Sequence, residues 1–132
     1  MKSRTALAAL TLSALALPLA TVAPATASGG GGGGHRTSGA CSQSSHWRLK
    51  AKNDSGRIEV EAEVHGVRVG QGWRWSISHN GSPSASGRAT TRGPSRSFSV
   101  NRLMINLAGT DHFTLRAVRS ATGEVCRGKV SL

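Results

Sequence analysis

Between His46 and His65 the chain alternates apolar and polar residues on both sides of a single turn. Trp47, Leu49 and Ala51 share one parity, and His46, Arg48, Lys50 and Lys52 the other. Beyond Asn53-Asp54-Ser55-Gly56, Ile58, Val60, Ala62 and Val64 alternate with Arg57, Glu59, Glu61, Glu63 and His65. Successive side chains of a strand point to opposite faces, so a period of two implies one buried face and one wet one. The stretch predicts a half-buried antiparallel hairpin. A four-residue loop at 53–56 sets Lys52 opposite Arg57, Lys50 opposite Glu59, Arg48 opposite Glu61 and His46 opposite Glu63. Leu49 then meets Val60, and Trp47 meets Ala62. In that register the three glutamates are cross-strand partners of facing bases, a structural use rather than a catalytic one.

The pattern continues in short runs. Gly72 to Ser78 carries Trp73, Trp75 and Ile77 on one parity, and a Gly/Ser/Pro turn follows at 80–83. Ser84 to Thr91 is weakly patterned, and Arg92-Gly93-Pro94 breaks the chain. Alternation resumes over Ser95 to Val100, with Phe98 and Val100 inward. After Leu103–Leu107 and Gly109, His112 to Val118 and Glu124 to Leu132 flank a turn at Ser120-Ala121-Thr122-Gly123. Cys126, Gly128 and Val130 fall on the inner parity of the last run. About seven short strands at roughly ten-residue spacing, with no helical period, predict an all-β antiparallel sandwich.

The first residues read as an export signal. Lys2 and Arg4 precede an apolar run from Ala6 to Ala20, and Ala25-Thr26-Ala27 offers small residues for cleavage. That assigns 1–27 to a signal peptide and residues 28–132 to a secreted product of one small domain. Gly29–Gly34 and the polar residues after it read as a flexible linker over 28–40, leaving 41–132 as the sandwich. No strand, Gly-Lys-Ser/Thr or helix accompanies the glycines, so they are not a phosphate loop. Cys41 and Cys126 are the two cysteines. In an exported small domain they are expected to pair. Closing a loop that long stabilises by about 4–5 kcal/mol in the chain-entropy account. With no C-terminal apolar tail or sorting motif, the product is expected to be released, without a membrane span, and monomeric.

Two resemblances accompany these residues. The arginine, glycine and alanine bias and the signal style resemble small exported proteins of actinobacteria. Leu107-Ala108-Gly109-Thr110-Asp111-His112-Phe113-Thr114-Leu115-Arg116-Ala117, ending in Thr122-Gly123, resembles the strand-F region of fibronectin type III and related immunoglobulin-like domains. That resemblance implies an Ig-like sandwich with Trp73 or Trp75 as the inward aromatic of strand C. Phe113 stands where the family has tyrosine, Gly109 where it has proline, and the cysteines are not the inter-sheet pair of antibody domains. This architecture hosts many unrelated functions, so function has to be read from a site.

Catalytic chemistry finds little support. Asp111 and His112 are adjacent, so on a strand they point to opposite faces, and no Gly-x-Ser-x-Gly elbow exists. No metal-ligand spacing is present, although His46 and His65 share the outer face of the first hairpin. A non-enzyme without cofactor or metal is expected. Charge is more informative. The chain is +11, with 17 Lys and Arg against 6 Asp and Glu. The excess lies in residues 66–132, where ten basic residues face only Asp111 and Glu124. A loop at 120–123 pairs Arg119 with Glu124 and puts Arg116 opposite Arg127 and Thr114 opposite Lys129. Arg74, Arg116, Arg127 and Lys129 are thus expected on one outward face, with Arg88, Arg92 and Arg96 as a second cluster around Gly93-Pro94. Arginine forks suit phosphate, sulfate and carboxylate, so the expected partner is an anionic extracellular polymer of the cell wall, DNA or acidic-polysaccharide kind. The alternatives are a protein-interaction module, an adhesin or inhibitor acting through His79–Pro83 and Thr91–Ser95, and a small hydrolase.

Overall fold

The computed structural model describes residues 34–132. The expected signal peptide at 1–27 and most of the glycine run lie outside the described residues. From His35 the chain forms eight strands: β1 His35–Ala40, β2 His46–Asp54, β3 Arg57–His65, β4 Gly72–His79, β5 Ser82–Thr90, β6 Ser97–Ile105, β7 His112–Arg119 and β8 Val125–Ser131. They make two four-stranded sheets, ordered β1-β2-β3-β6 and β5-β4-β7-β8, with every pairing antiparallel. Among the described residues there is no helix, so none is long and apolar enough to cross a membrane.

The eighth strand corrects the expected linker. His35–Ala40 has no apolar alternation, yet it pairs with β2 along its whole length. Its side chains also reach the opposite sheet. Thr37 Oγ1 donates to the Lys129 carbonyl at 2.7 Å, and His35 Nδ1 donates to the Ser131 carbonyl at 2.5 Å. A backbone ladder and bonds to β8 hold this strand without a buried stripe of its own. The folded unit therefore includes His35–Ala40 as well as the residues from Cys41 onward.

The first hairpin is also tighter than a four-residue loop allows. Ser55 and Gly56 alone form the turn, both with positive φ (49° and 81°), the two-residue geometry whose twist matches paired strands. Asp54 then faces Arg57, Lys52 faces Glu59, Lys50 faces Glu61 and Arg48 faces Glu63, while Leu49 meets Ala62 and Trp47 meets Val64. The shift is two residues, so no side chain changes face, and three base–glutamate pairs survive. Of these, Lys52 and Glu59 approach to 3.4 Å. The turn expected at 80–83 contracts in the same way to Asn80-Gly81, with φ of 49° and 83°.

The core fills the space between the sheets. Leu49, Ala51, Ile58, Val60, Ala62, Val64, Trp73, Ile77, Phe113, Leu115, Ala117 and Cys126 are essentially sealed from solvent. Trp73 and Phe98 contribute aromatic contact across the sheets, with ring centroids 6.2 Å apart. Along the β1/β8 side, the Trp47 indole lies against Gly39 and Gly128. A Cβ on Gly128 would sit 2.4 Å from the Trp47 ring, and one on Gly39 2.9 Å. These two glycines are spaces for an indole.

The disulfide Cys41–Cys126 closes the same side, joining the β1–β2 connection to β8. Beside it, buried Glu124 accepts hydrogen bonds from Gln43 N (3.0 Å), Ser45 N (2.9 Å) and Ser45 Oγ (2.8 Å). Ser42 N donates to the Val125 carbonyl, and Ser42 Oγ accepts from Val125 N, both at 2.8 Å. Covalent and polar ties thus fix the 41–45 connection against the start of β8.

Candidate polyanion-binding face

The outer face of the β5-β4-β7-β8 sheet holds five exposed basic residues: Arg88, Arg74, Arg116, Arg127 and Lys129. The registers place them. Arg88 faces Arg74 across β5 and β4, whereas Arg116 faces Arg127 and Thr114 faces Lys129 across β7 and β8. Between these pairs Arg74 is opposite Val118 and Ser76 opposite Arg116, so Arg74 and Arg116 are diagonal neighbours on adjacent strands. Directly opposed Cβ atoms are about 4.5–5.5 Å apart and diagonal neighbours about 7–8 Å. The cations therefore form one continuous oblique band. Ser76, Ser78, Ser86 and Thr114 interleave with it, adding hydroxyl donors that suit anionic oxygens.

The expectation of one face containing Arg74, Arg116, Arg127 and Lys129 agrees with these registers. The second expected cluster does not survive intact. Arg88 joins the first group, because a β-bulge between Ile77 and Ser78 shifts the β4–β5 register by one residue. Arg92 and Arg96 stay in the connection to β6, with Arg92 bridged to Ser97 and Arg96 donating to the Val67 carbonyl at 3.2 Å.

The acidic residues are arranged to leave the band alone. Glu59, Glu61 and Glu63 lie on the outer face of the other sheet and Asp54 at the end of its β2, among Arg36, Arg48, Lys50, Lys52 and Arg57. Asp111 and Glu124 are buried. Among the described residues no carboxylate occupies the outer face of β5-β4-β7-β8. Like charges set directly across a ladder are destabilising, and Arg88–Arg74 and Arg116–Arg127 are two such pairs. One face thus carries mixed charge and the other uncompensated positive charge.

The tryptophan and phenylalanine rings are withheld from the basic face. Trp47, Trp73, Trp75, Phe98 and Phe113 are buried, and the chain has no tyrosine. Trp75 lies over Gly87 of β5, where a Cβ would come within 2.9 Å of the indole. The Arg102 guanidinium covers that indole, 5.1 Å from its centroid, so Arg102 is engaged at the β5/β6 side.

Two imidazole contacts bear on catalysis. His79 Nε2 donates to Asp111 Oδ1 at 2.5 Å inside the sandwich, stacked on Phe113 at 4.5 Å. His112 Nδ1 lies 2.7 Å from Ser131 Oγ on the outer surface. An acid–imidazole pair and an imidazole–hydroxyl pair thus start from adjacent residues but point to opposite faces. His79 is moreover 6 % exposed, so it belongs to the interior and not to a binding loop over His79–Pro83. In the other expected loop, Thr91 is buried; its hydroxyl donates to the Arg68 carbonyl at 2.7 Å and accepts from Gln71 N at 2.9 Å. His46 and His65 are direct cross-strand partners, with His65 against Glu63. Among the described residues no group of three or more metal-ligating side chains converges.

Sequence reasoning missed the Glu124 clamp, the His79–Asp111 pair and the placement of Arg88. Only the last carried a signal: Ala85, Gly87 and Ala89 alternate with Ser84, Ser86, Arg88 and Thr90, which already puts Arg88 on the polar parity.

No protein-family model, curated protein or solved structure matches this chain.

Proposed function

We propose that this protein is an exported, non-catalytic binding module that holds anionic polymers on the outer face of β5-β4-β7-β8. The observation that carries the reading is the segregation of charge. Five cations, four of them in two repulsive cross-strand pairs, share a face that holds no carboxylate among the described residues. The other sheet, built from the same chain, matches bases with glutamates. A surface that served only solubility would have no reason to concentrate repulsion on one side. The disulfide and the signal-like residues 1–27 support export. The strand order supports the Ig-like resemblance: β2, β3 and β6 occupy the positions of strands A, B and E, and β4, β7 and β8 those of C, F and G.

Retention on immobilised heparin and on DNA tests the reading. The protein is expected to elute at raised salt, and Arg74→Ser/Arg116→Ser/Arg127→Ser to pass through in low salt. A triple variant that is folded and retained as before removes this face from the function.

A further inference from the structure

Building on that polyanion reading, we infer that the face takes one flexible phosphodiester chain, lying obliquely across all four strands and held by its backbone charges alone. The direction follows from the registers. Arg88 and Arg74 occupy one row on β5 and β4, Arg116 and Arg127 the next on β7 and β8, and Lys129 the row beyond on β8. With strands about 4.8 Å apart and about 3.3 Å of rise per residue, the band from Arg88 to Lys129 is about 20 Å long. It is one cation wide over most of that length, the shape of a single strand.

Three features restrict what that chain can be. No tryptophan or phenylalanine ring is exposed along the band, and the one imidazole beside it, His112 at the Lys129 end, is tied to Ser131 Oγ at 2.7 Å. There is thus no row of rings on which successive bases stack and no broad ring to cover the apolar face of a sugar. The surface is a bare sheet face, with no described helix or projecting ribbon to enter a duplex major groove. Finally, four of the five cations are arginines, whose planar forks bind phosphate oxygens in pairs, and serine and threonine hydroxyls fill the spaces between. A flexible backbone can follow the oblique band and neutralise all five cations, whereas a rigid duplex would leave the flat face after a few contacts. The group recognised is the phosphodiester, whatever hangs from it, so a base-free polyol-phosphate chain should bind as a nucleic acid strand does.

The experiment uses the full mature protein and three fluorescent probes of equal charge count: a thymidine decanucleotide, a glycerol-phosphate decamer and an oligogalacturonate. Affinity is measured from low to moderate salt. The two phosphodiester probes are expected to bind within about threefold of each other. Five neutralised phosphates on a single strand give a slope of about −3.5 in log K against log salt, and losing one contact flattens it by about 0.7. Arg88→Ser and Lys129→Ser, at the two ends, should each produce that flattening, with folding checked by the denaturation midpoint. Oligonucleotide binding more than tenfold tighter than glycerol-phosphate binding would overturn the inference, because bases would then be read. Equal binding of the oligogalacturonate, or tighter binding of a duplex of the same length, would overturn it as well. Failure of every probe and of heparin would instead sink the underlying polyanion reading.

Discussion

Arg116 shows how stability and binding are set against each other at a single position. It faces Arg127 directly and lies diagonal to Arg74, so it adds repulsion to the fold while supplying charge to the band. Arg116→Glu converts the repulsive pair into an attractive one. Its expected effect is a gain of about 0.2–1 kcal/mol at low salt, seen as a higher urea midpoint, together with weaker polyanion binding. An unchanged or lowered midpoint would show that the face carries no stored repulsion. Glu124 is the opposite case, a charge with no ligand to meet. Its carboxylate takes three hydrogen bonds from the 43–45 backbone and Ser45. Glu124→Gln keeps the shape but turns one acceptor into a donor facing donors. A loss of about 1–3 kcal/mol is expected, with polyanion retention intact because Glu124 lies off the basic face.

At the scale of elements, the β1/β8 side is where the two sheets are locked together. Trp47 fills the space above Gly39 and Gly128, and the disulfide lies beside it. Gly128→Ala forces a methyl group into the indole, and over-packing of that kind typically costs about 1–3 kcal/mol; guanidinium unfolding measures it. Cys41→Ala/Cys126→Ala should lower stability by about 2–5 kcal/mol, and a loss under 1 kcal/mol would mean that the Glu124 contacts hold this side alone.

Strands were legible where burial writes a pattern, as in β2, β3 and β7, whose inner faces read as unbroken alternation. β1 was not, because it is fixed by its ladder to β2 and by bonds from His35 and Thr37 to β8, none of which requires an apolar residue. The β4–β5 bulge was equally silent. The two-residue turn at Asn80-Gly81 taken alone would set Arg74 against Gly87, and the one-residue shift is what brings the polar parity of β5, with Arg88, opposite Arg74. The β7–β8 pairing, in contrast, follows from the 120–123 loop, so the sequence alone places Arg116 and Arg127 opposite each other. The buried polar pairs were hidden because the partners of Glu124 and His79 are distant in sequence.

For the molecule as a whole, the central claim concerns where charge sits, not how much there is. A protein of +11 is attracted to any polyanion through its net charge, so loss of binding after removing arginines is informative only against a matched control. Two triple variants supply one. Arg74→Ser/Arg116→Ser/Arg127→Ser removes three charges from the unneutralised face. Arg48→Ser/Lys50→Ser/Lys52→Ser removes three from the mixed face, and net charge falls equally in both. Affinity for the thymidine decanucleotide at moderate salt, with both variants verified as folded, is the most direct measurement. The first variant is expected to lose at least tenfold, and the second no more than about threefold, the difference being local contact rather than global attraction. Equal losses in the two variants would contradict a dedicated binding face and leave only non-specific attraction.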